Sequence, residues 1–244
     1  MPPVSARRGH GWWPYLTPIF SFLLLGTLLD RLPEPAAARG FPALVVVPAS
    51  LLAFFFARGG YPELRSAPPG GLAGLGVDFL VGVLGAGLWM APYVVLGLDA
   101  LPGWMRPDSG DAFDPQRLGP ANVWLALGLR AVGYGVVTPF AEELFVRGWL
   151  ARWVEIFDSD RDFRSLPIGR PSLRSFTAVV VFFTISHQMW EWPVAVAWIV
   201  GTQLWFYHRR HLGSLVAVHA GSNLGIFASV LVAARHGHDL WYFL

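Results

Sequence analysis

Glu142 and Glu143 stand side by side in an otherwise apolar stretch, and Arg147 follows four residues after the second of them. Charge at membrane depth is unfavourable, so it marks a partner, a cavity or a reaction. On a helix turning about 100° per residue, Arg147 lies some 40° from Glu143 and about 140° from Glu142. Glu143 and Arg147 are therefore placed to pair along one face, and Glu142 is left free. A carboxylate without a cation, set among apolar groups, is suited to take a proton from water. Pro139, just upstream, removes the hydrogen bond to the Gly135 carbonyl and is expected to kink the helix, opening room beside Glu142. Two other apolar segments each carry a histidine: Phe183-Thr184-Ile185-Ser186-His187 and His219-Ala220-Gly221-Ser222-Asn223. With Glu142, the imidazoles of His187 and His219 could hold a metal ion that keeps an open position, or activate a water directly. Asn223, one turn from His219, is placed to donate to a developing oxyanion.

These groups need elements to bring them together, and composition says what kind. Of 244 residues, 54% are apolar and 14% charged, against about 25% charged in a soluble domain. The deficit points to lipid as the surrounding solvent. Twelve Trp and eighteen Phe suit a bundle with aromatic belts at the two interfaces. Without cysteine, neither a disulfide nor a thiolate metal site can form. All eighteen basic residues are Arg, and a net charge of +2 gives no case for nucleic acid.

A spanning helix needs about 20 apolar residues. Seven runs qualify, near 12–29, 41–57, 72–98, 121–153, 174–190, 193–208 and 212–232. The expected architecture is an all-α, polytopic transmembrane bundle of about seven to eight helices, one integral-membrane domain over 1–244, with the chemistry in 121–232. The longest polar connections, 99–120 and 154–173, leave no room for a soluble domain. Arg7 and Arg8 before the first run and Ala36-Ala37-Ala38 after it have the outline of a signal peptide. That run is long for one and six more follow, so an uncleaved helix is expected. Flanking arginine stays cytoplasmic. The side with the N-terminus and the second, fourth and sixth loops carries eleven Arg and the other five, which places the N-terminus in the cytoplasm. Gly221 and Gly225 form a small-residue surface that admits another helix closely.

In order and placement, the three polar clusters resemble the CAAX-protease and bacteriocin-processing family of intramembrane peptidases, also called the Abi family. Glu142, Glu143 and Arg147 match its first motif, Phe183 and His187 its second, and His219 and Asn223 its third. The likeness covers about residues 121–232; Val146 departs from it where relatives often carry an aromatic residue. The resemblance implies a bundle of about eight helices that hydrolyses a peptide bond of a membrane-associated protein or peptide, with these six residues forming the site. It leaves open zinc, with His187 and His219 as ligands, or a metal-free site in which Glu142 activates water aided by His187 while His219 and Asn223 stabilise the tetrahedral intermediate. Length and a short tail ending in Trp241 and Tyr242 look like the prokaryotic subgroup called CAAX prenyl protease-related, associated with exosortase systems, in a bacterial inner membrane.

Other intramembrane chemistries lack their residues. There is no His-Glu-x-x-His and no Gly-x-Gly-Asp, and Asp78 is the one aspartate well inside a run. Ser186 and His187 are sequence neighbours that point about 100° apart, a poor nucleophile–base pair. Arg130 could stabilise a carboxylate or snorkel to the outer interface and is read as structural, and His208-Arg209-Arg210-His211 as a solvated turn. A rival reading is a non-catalytic immunity or assembly factor. A proton-coupled transporter would also use buried Glu and His, but no inverted repeat supports it.

Overall fold

The computed structural model describes residues 11–108, 110 and 112–244; Arg7 and Arg8, which entered the charge balance, lie outside the described residues. Seven principal helices follow one another: α1 (Trp13–Leu29), α2 (Ala43–Ala57), α3 (Gly71–Leu96), α4 (Pro120–Trp153), α5 (Leu173–Ile185), α6 (Trp192–Arg209) and α7 (Leu212–Arg235). A short helix, Glu34–Gly40, leads into α2. No strand occurs among the described residues. α3, α4, α7 and the joined stretch Glu34–Ala57 are long and apolar enough to cross a membrane, and α1 and α5 are shorter apolar helices. The molecule is thus a polytopic helical membrane bundle. Large apolar side chains such as Leu84, Leu88 and Trp124 face outward on it, as lipid contact requires.

α3 and α7 form the closest helix pair. A Cβ placed on Gly82 of α3 would overlap the Val218 carbonyl of α7, and one on Gly221 would overlap the Phe79 carbonyl of α3. One on Gly225 would come within 2.9 Å of the Ala86 Cβ. The small-residue surface expected on α7 is therefore matched by a reciprocal glycine on α3, so the backbones touch. This contact fixes α7, and with it His219.

α4 is not a uniform α-helix. Two wide, π-helical turns, Gly133–Val137 and Leu144–Leu150, flank the short α-helical piece Thr138–Glu143. In the first, the Thr138 N–H donates to the Gly133 carbonyl five residues back. Pro139 has no N–H to continue that pattern, so the group it orphans is the Tyr134 carbonyl, one residue before the Gly135 carbonyl expected from α-helical spacing.

α5 ends earlier than expected. It stops at Ile185, where the Ser186 hydroxyl donates to the Phe183 carbonyl, and Gln188 and Glu191 cap a short turn Met189–Glu191 that leads into α6. His187 thus sits just past a helix end rather than inside a span.

Contacts between loops define the two ends of the bundle. At one, Glu63 pairs with Arg152 and accepts a hydrogen bond from Tyr15 (2.9 Å), Arg209 donates to the Pro69 carbonyl (2.7 Å), and His211 bonds the Ser66 carbonyl (3.1 Å). At the other, Trp190, Tyr93 and Phe243 stack edge to face, and Phe113 packs between Phe41 and Trp241. The stretch 208–211 is a solvated turn only in part: His208 and Arg210 are exposed, whereas Arg209 and His211 are tied into the bundle. Arg209 reaches the fully buried Asp78 of α3 (2.8 Å), which also accepts from the Trp205 indole (2.9 Å). His211 is buried and caps α7 through the Ser214 N–H. Asp78, alone of its kind inside a run, is there to hold α3 to α6.

Candidate active site

The two glutamates have opposite fates. Glu143 is fully buried and takes both oxygens to the Arg147 Nη1, at 2.7 and 2.8 Å. This i,i+4 pair is the one expected from spacing. Arg147 is in turn held from α6: its Nη2 donates to the Thr202 hydroxyl (2.8 Å) and its Nε to the Gln203 side-chain carbonyl (3.3 Å). A buried charge pair persists only when its remaining donors are satisfied, and α6 supplies that. The polar pair Thr202-Gln203 within an apolar run is the trace of this contact in the sequence.

Glu143 does more than pair with Arg147. It also accepts from His219 Nδ1 at 2.9 Å. A carboxylate can only accept here, so Nδ1 carries the hydrogen, and in the neutral ring Nε2 keeps its lone pair. That nitrogen lies 3.9 Å from Glu142 Oε2. The Trp198 ring meets His219 edge-on at 5.0 Å and further restricts it. Arg147, Glu143 and His219 thus form a chain that ends on an oriented imidazole beside the second carboxylate.

Glu142 is partly exposed and faces a cavity of about 260 Å³. His187, His219 and Asn223 line the same cavity, so α4, α7 and the end of α5 do bring the expected residues together. The imidazole nearest Glu142 is His219, not His187 as expected; among the described residues His187 makes no ion pair with it. His187 instead donates Nδ1–H to the Phe183 carbonyl (2.7 Å) and lies between the rings of Phe183 (4.2 Å) and Trp89 (5.5 Å), with Nε2 free. Phe183, four residues before it, therefore supplies both a carbonyl and a face. Ser222 also lines the cavity but is hydrogen-bonded to neither imidazole.

Asn223 is not simply a free donor. Its Nδ2 gives one hydrogen to the Tyr134 carbonyl at 2.7 Å, the group that the wide turn and Pro139 leave without a backbone partner. A break in a membrane helix is tolerated when a neighbour satisfies it in this way. One amide hydrogen and the side-chain carbonyl remain for the cavity. Arg130, expected to be structural, faces the same cavity. It stacks over Tyr134 (4.9 Å) and Phe113 (5.6 Å); among the described residues no ion pair joins it to a carboxylate, and its Nε is buried without a hydrogen-bond partner. Tyr242, Phe243 and Leu244 close part of the mouth, a role nothing in their sequence signalled.

Among the described residues, no three His, Asp or Glu side chains come together as a set able to hold one metal ion. His187 and His219 share a cavity without forming a ligand pair completed by a third donor.

Residues 124–225 match the family model described as type II CAAX prenyl endopeptidase Rce1-like. No curated protein and no solved structure matches the chain. The matched stretch holds all six expected site residues, and it supports a CAAX-type intramembrane protease in general terms.

Proposed function

We propose, with residues 124–225 a domain of the CAAX-protease and bacteriocin-processing family, that this chain is an intramembrane endopeptidase in which Glu142 activates water. The observation that carries the reading is the division of labour between adjacent carboxylates. Glu143 is spent on Arg147 and His219, while Glu142 alone faces the cavity, 3.9 Å from the lone-pair nitrogen of His219. A water held between Glu142 Oε2 and His219 Nε2 gives a proton to the carboxylate as its oxygen attacks the peptide carbonyl. The oxyanion faces the uncommitted Asn223 amide hydrogen, and His187, held by the Phe183 carbonyl, lines the cavity beside it. When the C–N bond breaks, the proton held by Glu142 passes to the leaving nitrogen, which restores the carboxylate. Glu143 and Arg147 position His219 and touch no substrate. Because the side chains present do not form a three-donor metal set, no step is assigned to zinc.

The substrate is a membrane-associated protein or peptide that reaches the cavity within the bilayer. The test compares membrane peptides by mass spectrometry from cells expressing the wild type and Glu142→Gln. Glu142→Gln should abolish the wild-type-specific fragments, a loss of at least about 100-fold, at normal protein level. Fragments unchanged in Glu142→Gln, with a phenotype that also survives substitution of His187 and His219, would instead establish the non-catalytic immunity or assembly role.

A further inference from the structure

The direction of each helix decides which end of the bundle the cavity faces. From α4 it takes Arg130, Tyr134, Thr138 and Glu142, all on the Pro120 side of Glu143 and Arg147. From α3 it takes Trp89, in the half nearer Leu96, and from α7 the stretch from His219 to Ile226, beyond the helix start. The remaining lining comes from Gln188, Trp190 and Glu191 between α5 and α6, and from the segment after α7. The helices contribute their middle turns, the cavity continues to the end where Trp190, Tyr93 and Phe243 stack, and among the described residues none of the lining comes from the connections 58–70, 154–172 or 209–211 at the other end. Toward the other end the cavity is stopped by Glu143, Arg147 and Gln203, all fully buried.

Arginine divides unequally between those ends. Nine lie at the closed end, in the stretches 58–70, 152–174 and 209–211, against five at the cavity end (Arg31, Arg39, Arg106, Arg117 and Arg235). The contacts Arg152–Glu63, Arg209–Pro69 and His211–Ser66 confirm that these three stretches meet at one end. All are short connections, the case in which arginine stays on the cytoplasmic side, while Asp and Glu contribute little.

We infer that the cavity opens on the non-cytoplasmic face of the membrane, and, resting on the protease reading above, that the bond cut belongs to the extracytoplasmic part of a membrane-associated protein or peptide. A substrate presented from the cytoplasm would meet the sealed floor of Glu143 and Arg147, not the mouth at Gln188.

The chain contains no cysteine, so single-cysteine variants report position against a blank background. Gln188→Cys lies exposed at the mouth and Ser165→Cys exposed at the closed end. A membrane-impermeant maleimide added to intact spheroplasts should label Gln188→Cys at least tenfold more than Ser165→Cys, and permeabilisation should make the two equal. Labelling of Gln188→Cys only after permeabilisation overturns the orientation. Labelling needs no activity, so its outcome is separate from that of the protease reading. In the peptide comparison between wild type and Glu142→Gln, the fragments should map to extracytoplasmic segments; fragments mapping to cytoplasmic segments overturn the substrate assignment.

Discussion

The two ends of the bundle are held together by different physics. At the arginine-rich end, charges cross between elements, Arg152 to Glu63 and Arg209 to Asp78, beneath the Glu143–Arg147 pair within α4. At the cavity end, aromatic rings carry the contacts, with Tyr93, Trp190 and Phe243 at centroid separations of 5.1–6.0 Å. Ion pairs with satisfied donors demand one geometry, whereas ring contacts tolerate sliding within a range of offsets. On the proposed reading, the ion-paired floor would fix the imidazole while the softer aromatic mouth would admit a peptide.

The sharpest way to break the contrast is at the floor. Glu143→Ala leaves Arg147 buried with its main partner gone, and should destabilise the protein by about 3–5 kcal/mol. Glu142→Gln, one residue away, removes a cavity-facing charge and should change stability by less than about 0.5 kcal/mol. Unfolding in detergent micelles, followed by tryptophan fluorescence, measures both; equal effects would erase the distinction between the two carboxylates. Next in size is Gly221→Ala, whose added methyl meets the Phe79 carbonyl of α3. Overpacking there should cost about 1–3 kcal/mol, and because α7 carries His219, activity should fall further than stability alone explains. The smallest effect lies outside the spans. The Arg164 guanidinium, 2.5 Å away, holds the Asp162 carboxyl below the usual carboxylate range. Its folded pKa is depressed, so its stabilisation is present above the unfolded value near 4 and is lost as pH falls through the lower folded value. For this partly exposed pair the amount is under about 1 kcal/mol. Asp162→Asn should flatten unfolding curves in that acid window alone.

Much of this was legible in the residues. The Glu143–Arg147 pair followed from spacing, because i,i+4 geometry survives in any helix that keeps those two residues on one turn. The seven helical runs followed from the length of apolar stretches, and the close approach at Gly221 and Gly225 from the absence of side chains. What escaped were contacts between elements. That Glu143 also orients His219, 76 residues later, depends on how α4 meets α7, and no local pattern encodes it. Arg209 and His211 read as a solvated turn because nothing near them in the chain is acidic; their partners, Asp78 and Ser66, come from the region of α3. His187 was placed inside a helix because apolar residues continue past it, while the end is set by the Gln188–Glu191 cap.

The wide turn Gly133–Val137 has a consequence for phase. On an uninterrupted α-helix, Arg130 and Glu142 would point about 120° apart, and Tyr134 and Glu142 about 80° apart. A π-helical turn absorbs one extra residue, which brings each of those pairs to within about 20° of alignment. Arg130, Tyr134, Thr138 and Glu142 thereby form a single ladder of polar groups down the cavity wall. The wide turn thus takes up a supernumerary residue without breaking the track; a regular α-helix of the same length would swing the guanidinium about 120° from the carboxylate, whereas shortening the chain there by one would restore a regular helix and keep the two aligned.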